Sequence, residues 1–579
     1  MRIKISPEDM TRVADNLKNL SDKFDDIIRD INSIVKSIDW ELRSREGIDQ
    51  KASDAIKSAK KISGGLDLMA KDLEFARDSM IEEDKKASNI TSKMKSAAFG
   101  ASVAAVSAGK VNAANVNYTS DYKNLGPGRA SCPNTFVGDP INVTTGNFYV
   151  TKKDIQIPSR GIALEIRRYY NSIDKTYGIL GKGWRIGYET SLMNIEDSQD
   201  ILVVYPDGSI NIFEYNEKDS KYTAPRGVFD ILRKNEDESY ALKLHDGTTY
   251  RYDKSGNLIS ISDLNGNSIY IKYDNQGMIS SAVSPGGKFL AFLYDGARLR
   301  KIADHTGREI TYSYDKSGNL TQVRYPDGGV LKYGYDTKGM ISITDQNKNT
   351  YVRNTYNEAG RVIKQLDYEG NELIIEYYPE ECKNIFKWQK SGITRTYKYN
   401  EEKQLTEIIY DDGTKEIYTY DENKNRSSIT DRNGRTKRFK YDERGNLTAE
   451  IMPEPFNYTI RYSYDENNRR TKISTPAGGL ARFEYDAKGN LLKRIVKIDG
   501  SNNSETVYTY DEFGRVLTIT DAENNTTSFE YNDEDINKPS AITDAEGNRY
   551  TYDFDAVGRV LAITTGYGTV KLNIMSWTR

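Results

Sequence analysis

The chain has 579 residues and nearly balanced charge, with 82 Lys and Arg against 85 Asp and Glu and a formal net charge of −3. This balance argues against a nucleic-acid partner held by bulk charge. The composition is rich in residues of strands and turns, with 42 tyrosines and 44 glycines but only 14 prolines. We therefore expect a largely β structure.

Cysteine and histidine are too scarce for several common kinds of site. Cys132 and Cys382 exclude a disulfide framework, and His245 and His305 are too few for a His-rich metal centre. We predict no metal, no cofactor and no catalytic residue. No run reaches the roughly 18 apolar residues of a membrane span, and the N-terminus lacks the apolar core of a secretory signal, so neither is predicted.

Residues 1–95 are predicted to form an antiparallel α-helical hairpin. Apolar residues, among them Leu17, Leu20 and Phe24, recur at steps of three and four along residues 6–38, and the same spacing resumes after a break that contains Trp40. Two matched seams joined by a short turn predict two helices packed against each other.

A hairpin of this length with a tryptophan at its turn resembles the WXG-type proteins of type VII secretion. The resemblance implies a partner in the secretion machinery or a small helical WXG-type protein, with Trp40, Leu17, Leu20 and Phe24 as contact residues. The match departs from the motif because Glu41 and Leu42 follow the tryptophan, where the family has a glycine. The alternative is a hairpin that forms a homodimer, with Trp40 as a packing residue.

Residues 96–133 are predicted to be a linker of small residues, and residues 134–235 a β-rich domain. The domain contains GDPINVTTGN, IPSRGIALEIRRYYNS and LGKGWRIGYE in that order. This succession is similar to the domain that precedes the repeats in Rhs-family proteins. Trp184 is predicted to be structural, since no nucleophile paired with a base accompanies it.

Residues 236–579 form a repeat array. An aromatic residue recurs 15 times between Tyr252 and Phe554, and nine of the 14 intervals are 21 residues. Each unit reads as strand, turn, strand, turn, and the glycine four residues after the aromatic is present in nine of 15 units. We expect a different turn geometry where it is absent, as at Asn468 and Asp535. The structural repeat positions are Tyr252, Tyr273, Tyr314, Tyr335, Tyr441, Tyr485 and Tyr510.

Fifteen such units imply about 30 strands, which would extend roughly 140 Å if the sheet were flat. Open twisted sheets rarely exceed about ten strands without curling, so we predict a continuous spiral. The tyrosines should form an apolar layer, with their hydroxyls bonded to water or to backbone carbonyls.

The units, YDKSGNL and YDERGNL among them, look like the YD repeats of Rhs proteins. In that family the repeats wind into a hollow β shell around a C-terminal toxin. The resemblance implies a multidomain protein, a helical hairpin followed by an all-β spiral that is part of such a shell. It implies the non-catalytic delivery and encapsulation portion of a polymorphic toxin, secreted or displayed on the cell surface without a signal peptide. The alternative is an adhesion protein whose tyrosine-rich strands bind cell-wall glycans.

The C-terminal residues lack the segment that closes an Rhs shell. Reverse translation of residues 573–579 permits a YD-like continuation in another reading frame, with its tyrosine about 20 residues after Phe554. We therefore expect that a frameshift truncated a longer toxin.

Overall fold

The computed structural model describes residue 18 and residues 136–174, 176–195, 197–476, 478–497, 503–532 and 536–572. Apart from residue 18, the predicted hairpin and linker lie outside the described residues, and so do Cys132 and residues 573–579. The predicted contact residues Trp40, Leu17, Leu20 and Phe24 are among those not described. The chain divides into the units Met1–Ser102 and Val103–Arg579. All the strands given below belong to the second unit.

Eleven short strands, called here the N-terminal β segment, precede the repeats. They form a four-stranded sheet in the order β11-β10-β9-β8, a three-stranded sheet in the order β3-β4-β7 and two antiparallel pairs, β1-β2 and β5-β6. Their bounds are β1 Phe136–Val137, β2 Ile141–Asn142, β3 Tyr149–Ile157, β4 Leu164–Asn171, β5 Tyr177–Gly178, β6 Gly181–Lys182, β7 Trp184–Ile186, β8 Ser191–Asn194, β9 Ile201–Val204, β10 Ile210–Asn216 and β11 Lys221–Thr223.

The repeats form one 33-stranded antiparallel sheet, called here the ribbon, in which every strand pairs with its neighbours in sequence. One short 3-10 helix, Pro379–Glu381, interrupts the pattern of tight turns. The strands are β12 Ile231–Lys234, β13 Tyr240–Lys243, β14 Thr249–Tyr252, β15 Leu258–Ser262, β16 Ser268–Tyr273, β17 Ile279–Val283, β18 Phe289–Asp295, β19 Arg298–Asp304, β20 Glu309–Tyr314, β21 Leu320–Arg324, β22 Val330–Tyr335, β23 Met340–Thr344, β24 Thr350–Tyr356, β25 Val362–Leu366, β26 Glu372–Tyr378, β27 Lys383–Trp388, β28 Thr394–Tyr399, β29 Leu405–Ile409, β30 Lys415–Tyr420, β31 Arg426–Thr430, β32 Thr436–Tyr441, β33 Leu447–Ile451, β34 Thr459–Tyr464, β35 Arg470–Ser474, β36 Leu480–Tyr485, β37 Leu491–Lys497, β38 Asn503–Tyr510, β39 Val516–Thr520, β40 Thr526–Glu530, β41 Ala541–Thr543, β42 Arg549–Phe554, β43 Val560–Thr565 and β44 Gly568–Lys571.

An aspartate organises the turn that follows most repeat aromatics. The Asp315 carboxylate accepts hydrogen bonds from the backbone N–H groups of Ser317 and Asn319, each at 2.9 Å. The Asn319 side-chain amide donates to the second carboxylate oxygen of Asp315 at 2.9 Å. Gly318 takes a φ of +80° within this turn, a region that favours glycine. The turn thus keeps its shape through side-chain as well as backbone bonds.

The expectation that turns without this glycine differ in geometry is wrong at three positions. Lys403, Lys424 and Asn468 take φ values of 62°, 64° and 63° and keep the backbone bond to the first residue of the turn. The hydrogen-bonded frame around each turn holds a non-glycine residue in this conformation. Cys382, which follows the 3-10 helix, is also left-handed, with a φ of 46°, and its N–H donates to the Pro379 carbonyl at 3.1 Å. Asp535 lies outside the described residues.

A β-bulge precedes nearly every repeat tyrosine, and the sequence gives no sign of it. At Tyr314, for example, Ser313 pairs with Gln322 whereas Tyr314 pairs with Leu320, so the second strand carries one extra residue. The same shift recurs from Tyr252 to Phe554. Because a bulge bends a strand and increases its twist, its repetition curves the whole ribbon in one sense.

The ribbon coils until it meets itself. The Arg226 guanidinium, just before β12, donates to the carbonyl of Glu422, in the turn after β30, at 2.6 Å. Further along, the Asn267 amide, in the turn after β15, donates to the carbonyl of Phe513, in the turn after β38, at 3.1 Å. We call β12–β30 the first lap and β31–β44 the second lap. The turns on one edge of the first lap therefore contact turns on the opposite edge of the second, which is the geometry of a spiral.

The main hydrophobic core lies between the N-terminal β segment and one face of the first lap, called here the inner face. Alternate strand residues such as Ile310, Tyr312 and Val323 point into it and are fully buried. Equivalent residues of the second lap, Phe439 and Tyr462 among them, are only half-buried. The N-terminal β segment thus covers the first lap and leaves the second lap's inner face less covered.

Candidate functional site

A buried ion pair lies within the N-terminal β segment. Arg168 on β4 and Asp154 on β3 both have fully buried side chains. The guanidinium donates twice to the carboxylate, Nε to Oδ2 at 2.5 Å and Nη2 to Oδ1 at 2.8 Å. Such a two-point pair fixes the relative orientation of both groups.

Three tyrosines of the ribbon complete this cluster. Tyr312 and Tyr325 donate their hydroxyls to the two oxygens of Asp154, at 2.9 and 3.0 Å. The Arg168 guanidinium donates to the hydroxyl of Tyr333 at 3.2 Å. We call these five residues the joint. Its charges are paired and hydrogen-bonded across two separate sheets, as buried charges require.

The electrostatics of the joint favour the charged form of Arg168. Burial acts to lower the pKa of Arg168, but attraction to Asp154 outweighs it and raises that pKa well above its usual value. Burial, followed by the nearby Asp154 charge, raises the pKa of the Tyr312 hydroxyl well above the usual range. The tyrosine therefore remains a hydrogen-bond donor at any physiological pH.

A local irregularity explains why an aspartate points inward from β3. The register with β4 shifts between Lys153 and Ile155, so Asp154 is the unpaired residue of a bulge. A bulge re-aims a side chain, and here it turns a carboxylate into the core. The sequence analysis missed Asp154 and Arg168. The available signal was a charge in each of two otherwise alternating strands, at positions where an apolar residue is expected.

Trp184 and Tyr335, both singled out from the sequence, meet beside the joint. The Trp184 indole N–H donates to the Tyr335 hydroxyl at 2.8 Å. The tryptophan is fully buried, and its ring centroid lies 5.2 Å from those of Tyr170 and Tyr333. The Arg168 guanidinium lies 4.9 Å from the same ring. Trp184 therefore packs against both the aromatic layer and the buried cation.

The hydroxyls of the other repeat tyrosines form hydrogen bonds either within the ribbon or with the N-terminal β segment. Tyr252 is fully buried and shares a hydrogen bond of 2.9 Å with Thr190 of the N-terminal β segment. The rest donate to backbone carbonyls of the preceding unit, namely Tyr273 to Leu258, Tyr314 to Leu299, Tyr441 to Arg426, Tyr485 to Arg470 and Tyr510 to Leu491.

In the unit that contains Tyr378, the preceding residue provides the hydroxyl that bonds to the preceding unit. Tyr377, not the Tyr378 of the sequence register, donates to a carbonyl of the preceding unit, that of Val362. The β26–β27 pairing has no bulge, and Leu373, Ile375 and Tyr377 alternate on the inner face. Tyr378 is consequently 37% exposed on the other side.

Backbone hydrogen bonds attach the N-terminal β segment to one edge of the first lap. Leu192 N–H donates to the carbonyl of Gly256 at 2.9 Å, and Leu299 N–H donates to that of Ile179 at 3.0 Å. A third bond, from Val362 N–H to the Gly146 carbonyl, measures 3.2 Å. These bonds lie at turns well separated along the edge. The segment is therefore anchored around the lap and not at one point.

The joint fixes the N-terminal β segment against the ribbon. It contains no nucleophile beside a general base. Among residues 136–572 that the structure describes, no group of three or more His, Cys, Asp or Glu side chains is arranged to hold a metal ion. In the same part of the chain, no helix combines the length and apolar character needed to cross a membrane.

Comparison with protein families matches three parts of the chain. Residues 138–213 match a domain of unknown function, DUF6531. Residues 293–330, 420–455 and 464–501 match the RHS repeat, and residues 494–575 match the Teneurin YD-shell.

Characterised relatives share a short stretch. The tRNA nuclease WapA of Bacillus subtilis strain 168 is 31% identical over 142 residues, which is 24% of this chain and 6% of that protein. The tRNA3(Ser)-specific nuclease WapA of Bacillus spizizenii gives the same identity and coverage. The chain thus spans a small part of the length of the curated relatives it matches.

Solved structures with a similar arrangement include the TcdB2-TccC3 complex, at 12% identity and a TM-score of 0.39 over 76% of this chain and 24% of that one. The Photorhabdus luminescens Tc holotoxin pore aligns at 13% identity and a TM-score of 0.37, over 73% of this chain and 25% of that one. The RHS-repeat and YD-shell matches lie within the coiled ribbon and support an Rhs/YD-repeat protein.

Proposed function

We propose that the chain is the delivery and encapsulation portion of an Rhs-type toxin. The observation that carries the proposal is the closed wall: the ribbon returns onto its own edge, and the N-terminal β segment is fixed inside the first lap. A wall of this kind suits containment of another polypeptide. The half-buried aromatic face of the second lap provides surface for such a guest.

The names of the relatives support the proposal that a catalytic domain, where one is present, is separate from the repeats. The WapA proteins are called tRNA nucleases, and this chain matches 6% of their length. We propose that these 579 residues contribute no reaction of their own. The test is incubation of the purified chain with bulk tRNA, from which we expect no cleavage. Cleavage that persists through further purification would contradict this part of the proposal.

Containment is tested with a small folded reporter fused after Arg579. We expect a protease to digest the fused reporter at least about tenfold more slowly than the free reporter, since digestion needs access to an opened chain. Arg168→Leu, which breaks the joint, should restore fast digestion. Equal digestion of free and fused reporter would contradict containment.

The export route is proposed from the sequence of residues 1–95. We propose a type VII-type system that recognises the predicted hairpin through Trp40. Deletion of residues 1–95 or Trp40→Ala should abolish secretion, whereas Trp388→Ala, in the ribbon, should leave it intact in folded protein. Secretion that survives the deletion would refute this route.

The alternative function, glycan binding by the repeat tyrosines, would have to use the second lap. The rings of the first lap lie beneath the N-terminal β segment, whereas the inner face of the second lap is only half-buried.

A further inference from the structure

Four arginines lie on the inner face where the first lap passes into the second. Residues directly opposite each other in a sheet share a face. Arg395 lies opposite Phe386, which is fully buried in the core, and Arg494 lies opposite Phe483, which precedes the repeat tyrosine by two residues as Phe439 does. We call the four residues the arginine track: Arg395 on β28, Arg426 on β31, Arg470 on β35 and Arg494 on β37.

Two of these arginines occupy a position that is apolar in most units. The residue that pairs with the repeat tyrosine across the bulge is apolar in most units, such as the fully buried Leu320 beside Tyr314. In two units of the second lap it is Arg426 or Arg470. Because an apolar side chain satisfies the packing of this position elsewhere, the two charges need a reason other than packing.

Aromatic rings hold three of the guanidiniums. The distance from guanidinium to ring centroid is 5.3 Å for Arg395 and Trp388, 5.9 Å for Arg426 and Phe439, and 5.6 Å for Arg470 and Tyr462. Such contacts orient a guanidinium but leave its positive charge in place.

The charges of the track are not compensated by carboxylates. In the part of the chain that the structure describes, none of the four guanidiniums forms an ion pair. Arg395 and Arg426 are half-buried, and the Nε of both and one Nη of Arg426 are buried without an acceptor there. A cation partly removed from water without a counter-charge is costly. The track therefore favours an anionic partner.

The carboxylates on the same part of the inner face are engaged elsewhere. Glu416 accepts hydrogen bonds from the hydroxyls of Tyr410 and Tyr418, at 2.8 and 2.6 Å. Glu450 forms an ion pair with Lys437. The arginine track thus leaves this face with a surplus of positive charge.

We propose that the arginine track binds the carboxylates of an extended acidic polypeptide segment. The guanidiniums donate to glutamate or aspartate side chains of the segment, and the neighbouring rings contact its methylene groups. This inference rests on the proposed function, since the segment belongs to the enclosed guest. It adds the chemistry by which the wall holds that guest.

The spacing of the track suits a peptide. From Arg395 on β28 to Arg494 on β37 there are nine strand spacings, or about 43 Å at about 4.8 Å each, which about 13 extended residues would span. Glu416 on β30 and Glu450 on β33 lie between the arginines. A nucleic-acid strand carries a negative charge at every nucleotide and would meet both carboxylates, whereas the acidic residues of a peptide can be spaced to avoid them.

Fluorescence anisotropy with the full chain at low ionic strength tests the proposal. The probe is a labelled peptide of five Gly-Ser-Glu repeats, and the matched neutral peptide has glutamine in place of glutamate. We expect the acidic peptide to bind at least about tenfold more tightly than the neutral one, because only the former supplies carboxylates.

Two variants assign the binding to the track. Arg426→Gln and Arg470→Gln should each weaken binding of the acidic peptide by about three- to tenfold. Arg470 is exposed, so its replacement should leave the fold intact. The matched control is Arg438→Gln, since Arg438 is exposed on the opposite face of β32, where it pairs with Ser428. It should leave binding unchanged.

The proposal is overturned if the acidic peptide binds no more tightly than the neutral one, or if the track variants weaken binding no more than the control. Tighter binding of a single-stranded oligonucleotide of similar length would also overturn it, in favour of a nucleic-acid site. The outcome is separable from that of the reporter digestion. A protected reporter with no peptide binding would refute the track alone, whereas peptide binding with an unprotected reporter would support the track and refute containment.

Discussion

Most repeat tyrosines link their own unit to the preceding one. Tyr273, Tyr294 and Tyr314 each donate to the carbonyl of the residue 15 positions earlier. The ring fills the inner face while the hydroxyl satisfies a backbone acceptor, which explains why phenylalanine so seldom replaces it. The sequence predicted both functions of the tyrosine. It did not predict the constant partner, since the bulge that sets the register leaves no residue signature.

Tyr314→Phe should lower the free energy of unfolding by about 1 kcal/mol, because the Leu299 carbonyl loses its hydroxyl donor at 2.6 Å. Tyr270→Phe is the control, since Tyr270 is 53% exposed. Urea unfolding followed by circular dichroism measures both. Equal shifts would mean that the hydroxyl bond contributes nothing.

Arg168→Leu should lower the free energy of unfolding by about 3–5 kcal/mol, because it leaves the Asp154 carboxylate buried without its cation. The neighbouring Arg167→Leu is the control. Arg167 pairs with Glu165 at 2.9 Å, but their side chains are 37% and 28% exposed, so the loss should stay below about 1 kcal/mol. Thermal unfolding of both variants tests the joint, and similar losses would refute its importance.

At the scale of the element, each repeat unit contains two strands and a turn held by an aspartate. The alternation of side chains predicted the strands, and the Asp-x-x-Gly-Asn pattern predicted the turn. The left-handed lysines Lys403 and Lys424 could not be predicted from residue propensity, because the frame of hydrogen bonds around the turn overrides it. The joint could not be predicted either, since it depends on residues about 160 positions apart.

The turn aspartates should make the ribbon sensitive to acid. Burial acts to raise the pKa of Asp315, but hydrogen bonds from Asn319 and Ser317 outweigh it and hold the pKa below its usual value. The pKa values of Asp442 and Asp486 are lowered in the same way, by hydrogen bonds within their turns. Since the folded-state pKa is the lower one, this stability is present above the unfolded value of about 3.9 and is lost as pH falls through the folded value.

We therefore expect the unfolding midpoint to fall steeply below about pH 4. Asp315→Asn, which keeps an accepting oxygen but removes the charge, should reduce the slope between pH 5 and 3. Urea titrations across that range measure it. A slope unchanged in this variant would contradict a role for Asp315.

Two matching turns allow an exchange of residues at the left-handed position. Lys348 has a φ of 66° and Gly370 a φ of 79°, each in the fourth position of its turn. Lys348→Gly should raise the free energy of unfolding by up to about 1 kcal/mol, because left-handed strain of about 1–2 kcal/mol exceeds the entropy cost of glycine.

The reverse change, Gly370→Lys, should lower the free energy of unfolding by about 1 kcal/mol through the same strain. A Cβ at Gly370 meets nothing within 4 Å, so conformation alone sets the effect. Chemical denaturation of both variants tests this account. Shifts of the same sign would contradict it.

At the scale of the whole ribbon, repeated bulges and twist close a long sheet upon itself. Sequence reasoning predicted coiling from the number of strands. It could not predict how many strands make a lap, because that number depends on the bend contributed by each bulge. Nor did it predict that the N-terminal β segment covers the first lap more fully than the second.

The most direct test of the spiral measures the distance between its laps. Asp246 and Glu466 are exposed residues beside His245 and Asn468, and the Asn468 amide donates to the His245 carbonyl at 3.4 Å. Nitroxide labels at these two positions, in a chain with both cysteines replaced by serine, can be measured by double electron–electron resonance. Because the two turns are 21 strands apart in the ribbon, an uncoiled sheet would separate them by about 100 Å. Because the two turns are in contact in the spiral, it predicts a narrow distribution at a short distance set mainly by the label arms, and a distribution at the long distance would contradict it.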